Sequence, residues 1–327
     1  MSSLGTIGRG GKGKRTEQVP EFESALWGED QYAPAVVPAA PYVGSQTEKR
    51  TCGNPACKSG WLMPWKSRRR PIFEGKWGCG ASCLEALIAV AVRREVGDGV
   101  GQGYQAPHRH RVPLGLVMLA QGWITHPQLR RALDGQRAAG AGRIGDWLIG
   151  EAGVAPERVT RALGVQWNCP VLTVEGYAPK AMALVMPRQF VEEFGVLPLR
   201  VLGEKTLYLA LQDRLDAAGA LALEQMTDLK VENGLLPEVD YEMAVERLLR
   251  TPCVAAAREN VKDAEEMAVR IADLLDERQP IAAKLVRFHQ YFWLRTWLEP
   301  GTFSSAGTLP VSTEDVFDTI FTVGVQA

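Results

Sequence analysis

LGLVMLAQGWITHPQLRRALDGQ, residues 114–136, and IGDWLIGEAGVAPERVTRALGVQ, residues 144–166, are one pattern written twice. Leu114 and Gly115 are followed by Leu129, Leu133 and Gln136. Ile144 and Gly145 are followed by Val159, Leu163 and Gln166, each residue 30 positions from its partner. A solenoid needs about three or more copies. A single tandem pair reads instead as two half-sites on one small domain, which points to a ligand with two equivalent halves.

Within each copy the leucine or valine, the leucine and the glutamine sit at i, i+4 and i+7. One helix face therefore presents two apolar side chains and an amide. Gly115 and Gly145 permit a ligand to approach the backbone closely. Arg143 adds a planar, permanently charged fork suited to a guanine edge or a phosphate. The plainer alternative makes the apolar residues ordinary core. The duplication of glycine and glutamine along with them favours a site.

Outward from this segment the pattern is α+β. Residues 112–166 read as helices broken at Gly122, at 139–142 and at Gly153, with Thr125 as an N-cap and Pro156 in a first turn. Downstream, 171–174, 195–201 and 206–211 read as strands, and Val231 opens another. Residues 178–193, 217–226, 241–249 and 264–277 read as helices. Ile281 to Trp297 reads as one apolar, aromatic strand, and residues 300–327 as a tail. Upstream, residues 1–48 lack periodicity and read as disordered. Residues 49–95 read as a compact cysteine-bearing unit ending in a helix over 82–95, and 96–111 as a linker. The expected order is a small metal module, a helical subdomain with the tandem motifs (together 112–250 with an αβ-sandwich subdomain), and an extension over 251–299.

Cys52 and Cys57 form one close pair, Cys79 and Cys83 another. Two short-spaced pairs supply four soft ligands for tetrahedral zinc, and Gly53, Gly78 and Gly80 let the backbone turn beside them. Four sulfurs leave no open coordination position, so the expected zinc is structural. Buried free thiols are the alternative. Cys169 and Cys253 have no near cysteine and read as core. Trp61, Trp65 and Trp77 interleave with Lys66, Arg68, Arg69 and Arg70, which suits either single-stranded nucleic acid or a small aromatic core under a solvated loop.

The chain has 327 residues, 46% of them hydrophobic, and a net charge of −1. That balance argues against a nucleic-acid binder that works by bulk positive charge. No apolar run is long enough for a membrane span, and the first residues lack the features of a signal peptide, so a cytoplasmic protein is expected. The stretch Gly8 to Arg15 has a P-loop look but lacks the Ser/Thr and the preceding strand. His108, His110, His126 and His289 have no partner set for catalysis. No enzyme activity is expected.

Residues 113 to 250 resemble the MshEN domain, the N-terminal domain of type II secretion and type IV pilus assembly ATPases. That family carries tandem motifs of arginine, leucine and glycine, then glycine, leucine, leucine and glutamine, which bind cyclic di-GMP. Arg143, Ile144, Gly145 and Asp146 follow the motif in the second copy. In the first, Pro113 stands where the family has arginine, Arg111 lies two residues upstream, and Gly122 and Gly153 are 31 rather than 30 apart. The stretch 196–199 with 207–213 resembles the αβ half of that domain. The resemblance implies a non-catalytic receptor for cyclic di-GMP, partnered with a secretion or pilus apparatus protein. A pure interaction module of that apparatus is the second reading, and a nucleic-acid-binding zinc protein the third.

Overall fold

The computed structural model describes residues 52–58, 72–97, 111–203, 205–212, 216–298 and 309–324. The readings placed on 1–48, on Gly8 to Arg15, on Trp61, Trp65, Lys66, Arg68, Arg69 and Arg70, on most of the linker, and on His108 and His110 lie outside these residues. None of the described helices is long and apolar enough to cross a membrane.

Strands β1 (Ile72–Phe73) and β2 (Lys76–Trp77) form a small hairpin before helix α1 (Ala81–Val96). Four helices follow: α2 (Leu114–Ala120), α3 (His126–Ala139), α4 (Ile144–Gly150) and α5 (Pro156–Trp167). The next section runs α6 (Pro179–Met182), α7 (Arg188–Phe194), β3 (Leu197–Leu202), β4 (Thr206–Leu211), α8 (Ala217–Thr227), β5 (Lys230–Leu235) and α9 (Glu238–Leu249). The last holds β6 (Ala256–Val261), α10 (Ala264–Arg278), β7 (Ala282–Phe288), β8 (Tyr291–Trp297) and β9 (Val316–Val323). The α+β class is as the sequence implies.

Two sheets organise these elements. β3, β4 and β5 make one, antiparallel then parallel, with α8 as the crossover. The other has the order β2-β1-β7-β8-β9-β6. Its inner strands β7, β8 and β9 are covered on both faces, as the alternation of side chains allows. Val286, Phe288, Trp293, Trp297, Val316 and Ile320 belong to the core shared with β3, β4 and β5. Leu285, Phe292, Leu294 and Phe321 pack with Leu84, Leu87 and Ile88 of α1 and Met267, Ile271 and Leu274 of α10. The large sheet is thus the middle layer of three.

Several elements depart from the sequence reading. The cysteine-bearing unit draws its four paired cysteines together, and its hairpin also extends the C-terminal sheet, because β1 pairs in parallel with β7. The single strand expected over 281–297 is the hairpin of β7 and β8, turning at His289, which takes a φ of 55°. The tail contains β9, which lies between β8 and β6. The helix expected over 178–193 is two helices, because Pro187 has no N–H to donate and caps α7 from an extended conformation. Residues 171–174 form one bridge, Val171 with Leu235, rather than a strand. Arg200 draws the chain away by donating to the carbonyls of Thr173 and Glu175, both at 2.9 Å.

At the centre of the large sheet, Arg295 and Asp318 face each other across β8 and β9, and both are 0% exposed. Arg295 Nε and Nη2 donate to the two carboxylate oxygens, each at 2.8 Å. Nη1 donates to the carbonyls of Leu184 and Val185 at 3.0 Å. Removing one partner strands the other charge in the core. Asp318→Ala should therefore cost about 3–5 kcal/mol, and Arg295→Met with Asp318→Leu should recover only part of that loss, because the carbonyls of Leu184 and Val185 then lose their donor. Urea unfolding of the three proteins, followed by circular dichroism, measures both effects.

A second polar link joins the β7–β8 turn to α8. Asp216 caps that helix, accepting from Gly219 N at 2.9 Å, and its other oxygen lies 2.7 Å from His289 Nε2. Burial alone would raise the Asp216 carboxyl. The bonds from His289 and the backbone N–H groups of Gly219 and Ala218 outweigh burial and hold it below the usual carboxylate range. A depressed folded pKa means the unfolded chain binds more protons on acidification. The contribution is present at neutral pH and fades as pH falls through the carboxylate range and past the lowered folded pKa. Asp216→Ala should cost about 1 kcal/mol at pH 7 through the lost cap. The gap from wild type in thermal unfolding should narrow in acid.

Candidate functional site

The tandem repeat is a repeat in three dimensions. α2 and α4 begin at 114 and 144 and end at 120 and 150, and α3 and α5 begin at 126 and 156. The second helix of each copy packs on the first helix of the other, α3 on α4 and α5 on α2. Hydrogen bonds follow the same exchange. Gln136 Nε2 donates to Gly142 O at 2.8 Å, just before α4, and Gln166 Nε2 donates to Val112 O at 2.7 Å, just before α2. Gln128 Nε2 donates to Ala152 O at 3.1 Å, in the turn of the second copy. Arg158 Nη1 donates to Trp123 O at 3.3 Å, in the turn of the first. Contacts given and returned in this way are the signature of a twofold relation.

The glycines have a packing role that the sequence did not disclose. A Cβ on Gly115 would lie 2.5 Å from Leu129 Cδ1, and one on Gly145 would lie 3.1 Å from Val159 Cγ1. Each glycine thus receives the first apolar side chain of its own copy's second helix. The one-residue offset of Gly122 and Gly153 is absorbed in the turns. Trp123 N reaches back five residues to Met118 O, whereas Val154 N reaches back six to Leu148 O. Both glycines take positive φ, 68° and 62°, and the helix starts regain the common step.

The structure brings the expected ligand residues into one doubled hairpin with unequal exposure. Leu114, Gly115, Gly145 and Val159 are buried; Leu129, Leu133, Gln136, Ile144, Leu163 and Gln166 are half-buried; Arg143 and Asp146 are exposed. Arg143 is the N-cap residue of α4, and its Nε lies 3.9 Å from Asp146 Oδ2. Pro113 is the N-cap residue of α2. Thr125 caps α3 in a reciprocal box with Gln128, a partner the sequence reading passed over. Trp147 was also missed. It wedges against Gly135 and Gly142 and donates to Ala141 O at 3.1 Å. Two surface concavities are lined by other residues. One of about 600 Å³ lies along His126, Arg130, Arg131, Asp134 and Glu151, and one of about 520 Å³ along Lys180, Arg247 and Arg250.

The four paired cysteines come together. Cys52 and Cys57 precede β1, Cys79 follows β2, and Cys83 lies in the first turn of α1. Their sulfurs all lie within 4.8 Å of one another. Cys57 Sγ is 3.4 Å from Cys79 Sγ, which is 3.7 Å from Cys83 Sγ. A tetrahedron with metal–sulfur bonds of about 2.3 Å has edges of about 3.8 Å, so the spacing fits a metal held by four thiolates. Asn54 Nδ2 donates to Cys83 Sγ at 3.4 Å, a bond that stabilises a thiolate once the proton has left. Gly53 approaches Lys76 so closely that a Cβ there would lie 2.7 Å from the lysine Cβ. Cys169 and Cys253 stand apart and pack against the core of the αβ section.

No protein-family model and no curated protein matches the chain. Among solved structures the chain is similar to MshE with cdg, at 27% identity over 42% of this chain and 99% of that one, with a TM-score of 0.35. It is also similar to the N-terminal domain of XpsE in two crystal forms, both at 17% identity. One match covers 41% of this chain and 92% of that one with a TM-score of 0.30, the other 40% and 91% with 0.25. The first of these bears the name of the family that the tandem motifs resemble.

Proposed function

We propose that this chain is a non-catalytic receptor for a cyclic dinucleotide of the cyclic di-GMP type, serving a type II secretion or type IV pilus apparatus. The observation that carries this reading is the twofold exchange between the two copies. A ligand made of two identical nucleotides asks for two equivalent faces, and the reciprocal bonds of Gln136 and Gln166 hold two such faces in fixed relation. Leu129, Leu133, Ile144 and Leu163, all half-buried, supply apolar surface for bases and ribose, with Leu114 and Val159 packed behind them. Gly115 and Gly145 let Leu129 and Val159 seat each second helix close to the helix starts, and Arg143 with Asp146 offers charged groups to a guanine edge or a phosphate. Gln136 and Gln166 stand at the same helix ends.

One observation favours a pure interaction module instead. Pro113 removes the arginine from the first N-cap, where a ligand-binding copy would keep it. Calorimetry with cyclic di-GMP separates the readings. The receptor binds, and Arg143→Ala weakens binding by about 1–3 kcal/mol, the usual range for one bidentate base contact. Pro113→Arg leaves affinity unchanged or raises it. No heat and no competition at high micromolar ligand, with Pro113→Arg equally silent, selects the interaction module.

Zinc is the metal we assign to Cys52, Cys57, Cys79 and Cys83. A d¹⁰ cation accepts four thiolates in a tetrahedron without redox chemistry, and the closed set gives it a structural role. Purified protein should carry one zinc per chain by elemental analysis. Cys79→Ser should lose it and unfold at lower temperature. Metal-free protein of unchanged thermal stability would point to free thiols.

A further inference from the structure

The two half-sites differ most where their first helices begin. The second has Arg143 at the N-cap and exposed Asp146 beyond it. The copy-related residues of the first are Pro113 and Leu116. Two residues upstream of Pro113, the guanidinium carbon of Arg111 sits 3.2 Å above the ring of Trp167, at the end of α5. The carbonyl of the intervening residue, Val112, accepts from Gln166 Nε2. Consecutive residues of α5 therefore pin both the backbone beside Arg111 and its head group. The second copy has Ala141 and Arg137 at these positions and lacks the pair.

We propose that Arg111, backed by Trp167, is the base-stacking residue of the first half-site, with a purine of the ligand lying on the guanidinium face turned away from the indole. This rests on the receptor reading above. A guanidinium is planar and weakly hydrated and stacks on aromatic faces. Held between two π faces it gains cation–π attraction from both. The indole also holds Arg111 flat before the ligand arrives, which lowers the ordering cost of binding. The flanking surface agrees. Val112 and Leu116 are 56% and 52% exposed, where the second copy has Gly142 and Asp146. The first half-site reads its nucleotide by stacking on an apolar floor, and the second by charge at the helix start.

The test is a titration of the full chain with cyclic di-GMP, comparing wild type with Arg111→Ala, Arg111→Lys and Arg143→Ala. Arg111 is on the surface, and equal melting temperatures confirm that its variants fold. Arg111→Ala should weaken binding about tenfold, in the range of a partly desolvated cation–π contact. Arg111→Lys should weaken it nearly as much, because an ammonium has no face to stack. Binding by wild type with Arg143→Ala impaired and Arg111→Ala unchanged overturns this proposal and leaves the receptor reading standing. Full recovery in Arg111→Lys overturns the stacking role. A silent wild type removes the receptor reading and this proposal together.

Discussion

The buried pair of Arg295 and Asp318 is the constraint around which the layers assemble. Two charges in a dry core are tolerated only when their hydrogen-bonding capacity is used. Here the carboxylate takes a fork of two bonds from β8, while the remaining guanidinium nitrogen reaches out of the sheet to the carbonyls at 184 and 185. Those carbonyls belong to the break between α6 and α7, which a continuous helix would have satisfied internally. The arginine thereby fixes the β8–β9 register and the position of the αβ section over the sheet. A hydrophobic substitute could fill the volume but would leave those carbonyls without their donor.

The doubled hairpin works by reciprocity. Its glutamines do for each other's copy what a cap does within a helix, occupying a backbone carbonyl just ahead of the helix start. Because each copy completes the other, neither is expected to hold its shape alone. The wedge of Trp147 shows how the copies have diverged without losing this relation. The ring sits where the first copy has Val117, and Gly135 and Gly142, whose counterparts one step away are Val165 and Val112, make room for it.

What the sequence discloses follows the range of the interactions. Thr206 to Leu211 and the helix over 264–277 are legible because an apolar strand run and a helical apolar period are local signals. The step of 30 and the two cysteine pairs are legible for the same reason, and they locate the candidate sites. The parallel pairing of β1 with β7 joins residues some 200 apart and leaves no local trace. The turn at His289 is hidden because a histidine rather than a glycine or asparagine takes the left-handed conformation. β9 is a missed local signal, since Val316 to Val323 is rich in β-branched and aromatic residues. The contacts of Gly115 with Leu129 and of Gln166 with Val112 are tertiary, so the sequence marks these residues as repeated without saying what they touch.

The place of the thiol cluster has a consequence for solubility. β1 and β2 form one rim of the large sheet, and behind them lies β7, reading Ala-Ala-Lys-Leu-Val-Arg-Phe over 282–288. Bare strand rims are templates for pairing between molecules, and an apolar strand is the most dangerous kind. Four sulfurs drawn together hold a two-residue strand in place over the first turn of that rim, while Arg94 and Glu95 of α1 bond to Leu285 O and Arg287 N farther along it. The cysteine unit is in this sense an end-stop, because its hairpin occupies the start of a rim that would otherwise be open to another strand.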